Sequence, residues 1–191
     1  MSIFKTSGVI IKIDKVGIKD FVYTIFTCDY GKIKANKKLA SKEKTLDLGY
    51  IINFEIETKE NRNIHKIRNI KIKSEFLNKN RSFSEINSYL VLLSTILKKI
   101  PDGVPVMEVY DIVEKITILP PPSGEKIATS IEIKQILATL KVIDIAGELD
   151  LKHRNETISR ILRFINANKI DSILKLSGID ENTKKELESL L

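Results

Sequence analysis

Between Ile3 and Lys73 apolar and polar side chains alternate with a period of two, in runs rich in Ile, Val, Phe and Thr. That is the period of strands with one buried face. Five strands are predicted. The first covers Ile3 to Ile13, with Val9, Ile11 and Ile13 on one face and Ile10 and Lys12 on the other. The second (Phe21 to Cys28) and third (Lys32 to Lys38) flank Asp29-Tyr30-Gly31, where Gly31 supplies the positive φ of a tight hairpin. The fourth, Tyr50 to Thr58, alternates Ile52, Phe54 and Ile56 with Asn53, Glu55 and Glu57. In the fifth, Ile64 to Lys73, Ile64 and Ile67 lie three apart whereas Ile70 and Ile72 alternate, so a bulge is expected.

Beyond Ser74 the period becomes helical. Ser82-Phe83-Ser84-Glu85 has the form of a capping box and precedes Ile86, Tyr89, Leu90, Leu93, Ile96, Leu97 and Ile100 at spacings of three and four. Pro101-Asp102-Gly103 ends that helix. A second, Val106 to Leu119, ends at Pro120-Pro121-Pro122, and a third runs from Glu125 to Gly147. Shorter segments follow at Asn155 to Asn166 and Glu181 to Leu191. Five twisted strands in a stretch this short leave fewer bare edges if the sheet closes. The predicted fold class is therefore α+β, an N-terminal five-stranded OB-type β-barrel over residues 1–74 followed by an all-α helical domain over 75–191.

Composition narrows the function classes. The 191 residues are 42% apolar and 30% charged, and no apolar run reaches the length of a membrane span. A globular protein with no membrane partner is expected. One Cys and two His cannot assemble a Cys/His zinc site, and a lone Cys28 has no internal disulfide partner, which fits a reducing cytoplasm. Residues 1–80 carry 17 Lys+Arg against 9 Asp+Glu, net +8, whereas 81–191 carry 15 against 16. The anionic partner is thereby assigned to the strand-rich part.

On the third strand alternation places Lys32, Lys34 and Asn36 on one face and Ile33 and Ala35 on the other. The basic stripe continues into Lys37, Lys38, Lys42 and Lys44, and Lys71 and Lys73 can join it from the fifth strand. Ammonium groups on flexible stems bind phosphates as point charges and release counterions, which makes binding salt-dependent without reading bases. Phe21, Tyr23 and Tyr30 are the neighbouring aromatics, with Phe21 expected in the core.

Catalytic constellations are poor, and no enzyme, metal or cofactor is expected. Asp144, Glu148 and Asp150 put two carboxylates on one helix face, a pattern that also describes a solvated helix end. Neither His65 nor His153 has a nucleophile or orienting carboxylate at a recognisable spacing, and Cys28 reads as a small core residue. Leu176-Ser177-Gly178-Ile179-Asp180 is similar to a helix-hairpin-helix turn, a form also common without any ligand.

The run GVIIKIDKVGIKDFVYTIFTCDYGKIKANKKLA, residues 8–40, resembles the opening of RecO, the bacterial recombination mediator family. The likeness is carried by Lys12 at the end of an apolar strand, Asp20 before the second strand, Thr27, Gly31-Lys32-Ile33 and Lys37-Lys38. It covers the predicted barrel and extends more weakly over residues 75–150. It implies an OB-fold with a helical domain, binding of single- and double-stranded DNA, annealing of strands coated by single-stranded-DNA-binding protein, and, with RecR, help in loading the recombinase RecA. By position it implies DNA contacts at Lys12, Lys32, Lys34, Lys37 and Lys38, with Lys42 and Lys44 added from the basic loop. Arg160 and Arg163 are the basic residues chosen as candidates for partner binding. The chain departs from many members in lacking a Cys-rich zinc module. Two further readings fit the same residues, an adaptor whose barrel binds an acidic protein and an RNA-binding OB-fold protein.

Overall fold

The computed structural model describes residues 2–40, 45–58, 64–77, 80–120 and 130–191. Five strands come first: β1 (Ser2–Lys15), β2 (Asp20–Thr27), β3 (Gly31–Lys38), β4 (Ile51–Thr58) and β5 (Ile64–Ser74). Six helices follow: α1 (Phe83–Lys99), α2 (Met107–Ile118), α3 (Ile131–Ile145), α4 (Glu156–Ala167), α5 (Ile170–Ile173) and α6 (Glu181–Glu188). The third helix does not run continuously from Glu125 as expected: Ser130, in a non-helical conformation (φ -56°, ψ 150°), caps it by accepting from the Ile133 amide, so α3 starts at Ile131, and residues 125–129 lie outside the described residues.

The sheet closes on itself in the order β1-β2-β3-β5-β4. All neighbours are antiparallel except β3 and β5, which run parallel through Lys34/Ile64, Ala35/His65 and Asn36/Lys66. Inward residues of every strand meet in one apolar cluster built on Ile10, Tyr23, Ile25, Ala35, Ile52, Phe54, Ile56 and Ile67. Closure pairs strand edges that a flat sheet of this size would leave open.

Bulges decide which residues enter that cluster. The expected one in β5 is present: the ladder with β4 steps from Asn53/Lys71 to Glu55/Arg68, and Asn69 there has φ 52°. In β1 the ladder with β2 steps from Ile10/Ile25 to Lys12/Thr24, making Ile11 the extra residue. Ile10 and Ile13 consequently share the barrel interior, and the expected grouping of Val9, Ile11 and Ile13 on one face does not hold. An extra residue shifts a period-two pattern by one, so side chains beyond it change face.

The chain forms two compact units, which differ from a break after residue 74. The first comprises residues 1–79 and 100–118, the barrel together with α2 and the segment before it. α2 contacts β1 and buries Val109, Ile112, Val113 and Ile116, while the barrel residues Val9, Ile11, Phe26 and Ile51, outside the interior cluster, are buried too. This apolar outer surface is why the second helix belongs with the strands. The unit carries 18 Lys+Arg against 13 Asp+Glu, so its net charge is +5.

The second unit comprises residues 80–99 and 119–191 and is all-helical where described. The capping box opens α1 as predicted: the Ser82 hydroxyl accepts from the Glu85 amide at 3.2 Å, and the Glu85 carboxylate accepts from the Ser82 amide at 2.9 Å. α3 is its centre, packed against α1, α4, α5 and α6, and nearly every residue from Ile133 to Ile143 is buried. Lys141, 6% exposed overall, is held inside by Asp144 at 2.8 Å and the Ile165 carbonyl at 3.2 Å. Among the described residues no helix is long and apolar enough to cross a membrane.

Candidate nucleic-acid interface

The β3 alternation turns Ala35 into the barrel and leaves Lys34, Asn36 and Lys38 exposed. Lys37, half-buried, joins Lys38 at the wall of a groove of about 610 Å³. The other lining residues are Val16, Asp20, Phe21, Val22, Asn36, Ile64 and Lys66. Lys37, Lys38 and Lys66 thus line one groove where β2, β3 and the start of β5 lie side by side. Asp20 is the single carboxylate in the lining, opposite Lys38 in the β2/β3 register. Lys38 and Lys66 are in no ion pair with a described residue, whereas Lys34, outside the groove lining, acts through its charge on the Asp102 carboxyl. Lysines outside ion pairs are the ones that can release counterions on meeting a phosphate backbone.

Lys66 was not singled out in the sequence. It enters through the parallel β3/β5 pairing, which sets it beside Asn36. No local signal announces that pairing, because the two strands are separated by all of β4.

The predicted residue Lys32 is not a surface contact. Only 9% exposed, its ammonium lies 2.9 Å from the Asp102 carboxylate. The Gly103 amide donates to the Lys32 carbonyl at 3.2 Å, so the segment leading to α2 runs along this end of β3. Lys73 is similarly engaged, by Glu114 of α2. The residues of α2 and the segment before it thus neutralise part of the basic stripe that alternation alone presents as continuous.

The remaining candidates are dispersed. Lys12 is exposed and pairs with Asp14 at 2.9 Å. Lys71 is exposed and lines a different groove, with Lys5, Cys28, Asp29, Asn53, Glu55 and Asn69 among its neighbours. Lys42 and Lys44 lie outside the described residues. Arg160 and Arg163 are exposed on α4, Arg160 in an ion pair with Glu156 at 2.6 Å.

The aromatics separate into different roles. Tyr23 is fully buried in the barrel and cannot stack on a ligand. Phe21 is half-buried, packs against the core with its ring 6.1 Å from that of Tyr23, and also lines the groove. Tyr30 is exposed beside Phe4, with ring centroids 6.0 Å apart.

Cys28 is half-buried rather than a core residue, and its thiol donates to Asp29 at 3.2 Å. The Asp29 carboxyl is held below its ordinary value, chiefly by the Thr6 hydroxyl at 2.6 Å and then by Cys28. Asp144 and Glu148 are occupied by Lys141 and Lys99, so these carboxylates serve the packing of the helical unit. Among the described residues no three His, Cys, Asp or Glu side chains are grouped to hold a metal. Compared with known proteins, the chain matches no family model and no curated protein.

Proposed function

We propose that this chain is a DNA-binding recombination mediator of the RecO type, acting without an active site. Its barrel, read as an OB-fold, holds the phosphate backbone, and its helical unit docks partner proteins. Single- and double-stranded DNA are the proposed ligands, with RecR and single-stranded-DNA-binding protein as partners by resemblance. The strand order β1-β2-β3-β5-β4, with β3 and β5 parallel, supports the OB reading. The observation that carries the functional reading is that Lys37, Lys38, Lys66 and Phe21 line one groove on the β2-β3 side. In OB-folds that side is the one used for oligonucleotides. Neutralising phosphates lowers the repulsion between complementary strands, and contacts without base readout let them search for register, which is what annealing requires.

The test is a titration of labelled single-stranded DNA at two salt concentrations. Wild-type binding weakens steeply with salt. The triple substitution Lys37→Ala, Lys38→Ala, Lys66→Ala lowers affinity and makes the slope of log K against log salt shallower by about 2, at roughly 0.7 per lost phosphate contact. No binding at low salt would overturn the nucleic-acid reading in favour of an adaptor for an acidic protein. Preference for RNA in direct competition would replace DNA as the ligand.

A further inference from the structure

The same groove has a second wall that lysine chemistry does not explain. Val16, Phe21, Val22 and Ile64 line it together with the lysines, and Val16 and Ile64 are exposed. Two residues on from Val16, at the tip of the β1–β2 hairpin, Ile18 is 91% exposed, the most exposed of the large apolar side chains described. Lys15 and Lys19 flank the tip on either side.

The tip is braced against collapse onto the barrel. The Val16 and Gly17 amides both donate to the Asp20 carbonyl, at 3.0 and 3.2 Å, and the Leu39 amide donates to the Lys19 carbonyl at 2.9 Å. Ile18 and Val16 are β-branched, so little side-chain freedom remains to be lost when they make a contact. A fixed apolar edge beside a row of cations is complementary to an amphiphilic polyanion.

An unpaired nucleic-acid strand has that character, since it offers phosphates on one side and the apolar faces of unstacked bases on the other. A duplex offers the phosphates alone, because its base faces are stacked inside. Lysines by themselves would not distinguish the two. We infer that the apolar row Ile18, Val16 and Val22 takes up base faces of an unpaired strand and makes this groove select single-stranded over double-stranded nucleic acid. The inference rests on the nucleic-acid reading proposed above and adds its selectivity.

The experiment compares the full chain with the double variant Val16→Ser, Ile18→Ser on three probes: a mixed-sequence single strand, the duplex of the same length, and a strand of the same length made wholly of abasic sites. The variant is expected to bind the single strand about tenfold more weakly with an unchanged salt slope, because no cation has been removed. Duplex binding stays within twofold. On the abasic strand wild type and variant bind equally, a readout that a folding defect would not reproduce, since misfolding weakens all three. Equal loss on single strand and duplex, no loss on the single strand, or a difference that persists on the abasic strand would each overturn the selectivity. So would a change in sedimentation of the free protein on substitution, which would assign the tip to contacts between copies of the chain. If wild type binds none of the probes even at low salt, the nucleic-acid reading itself fails; salt-dependent wild-type binding with an unaltered variant removes the selectivity alone.

Discussion

The ammonium of Lys32 and the carboxylate of Asp102 lie 2.9 Å apart, joining the start of β3 to the segment that leads into α2. The lysine is almost wholly covered, whereas the aspartate is largely exposed. The partner is therefore the accessible half of the pair, and its removal leaves a covered ammonium without that carboxylate. Asp102→Ala is expected to lower stability by about 1–3 kcal/mol, the usual cost of leaving a buried polar group short of a partner. Denaturant unfolding measures it.

The same pair has a pH signature. The hydrogen bond from Lys32 holds the Asp102 carboxyl below its ordinary 3.8. The unfolded chain therefore binds this proton more readily than the folded one, and the contribution of Asp102 is present above about pH 3.8 and lost as pH falls through the lowered folded value. The stability difference between wild type and Asp102→Asn is expected to narrow as pH is lowered below that point. A constant difference across the acid range would show that the ionised carboxylate is not what holds Lys32.

Gly31 has φ 66°, and a Cβ added there would overlap the backbone of Val104. Gly31→Ala is expected to cost about 3 kcal/mol, combining ~1–2 kcal/mol for a left-handed residue with ~1–3 kcal/mol for steric overlap. Gly103, with φ 70° and open space where its Cβ would stand, is the control. Its replacement by Ala retains only the conformational cost of about 1–2 kcal/mol. Thermal or denaturant melting of the two variants separates overlap from backbone preference.

In the helical unit, Lys141 and Asp144 form a largely buried pair at 2.8 Å, and the Asn166 amide also donates to Asp144 at 2.7 Å. Lys141→Ala strands the carboxylate and is expected to destabilise by about 3–5 kcal/mol. Replacing both members with apolar residues of similar size, Lys141→Met with Asp144→Leu, is expected to recover much of the loss, because neither charge then has to leave water. A double-mutant cycle on unfolding free energies reads the coupling.

Burial, the largest influence on Tyr110, pushes its phenol up to about 12, against partial relief from the Ser7 hydroxyl. The unfolded chain gives up that proton near the ordinary value of 10.0 while the folded one retains it. Its contribution is thus fully present below pH 10 and is lost as pH rises towards 12. Tyr110→Phe is expected to flatten the alkaline decline, which a series of melts between pH 9 and 12 would reveal.

Much of the architecture was legible because its signals are local. Strand alternation in β3 requires only neighbouring residues, and it correctly turned Lys34 and Asn36 outward and Ala35 inward. The capping box at Ser82 needs one helical turn, and both of its hydrogen bonds are formed. Even the irregularity of β5 showed in the spacing of its isoleucines. The bulge at Ile11 left no such mark, since the isoleucines and valine around it satisfy either register.

By itself, then, the sequence determined the succession of five strands and a set of helices, and the concentration of lysine in the first part of the chain. Periodicity and charge are properties of short stretches, and they survive whatever the distant parts of the chain do. Tertiary structure alone decided which lysines share a surface. The parallel pairing of β3 with β5 brought Lys66 to Lys37 and Lys38, and the return of residues 100–118 to the barrel removed Lys32 from it. Both outcomes depend on burying apolar surface between segments far apart in sequence: closure of the sheet in one case, cover for the barrel's apolar outer residues in the other. A side chain's exposure is set by what packs over it, and its own neighbours in sequence do not specify that cover.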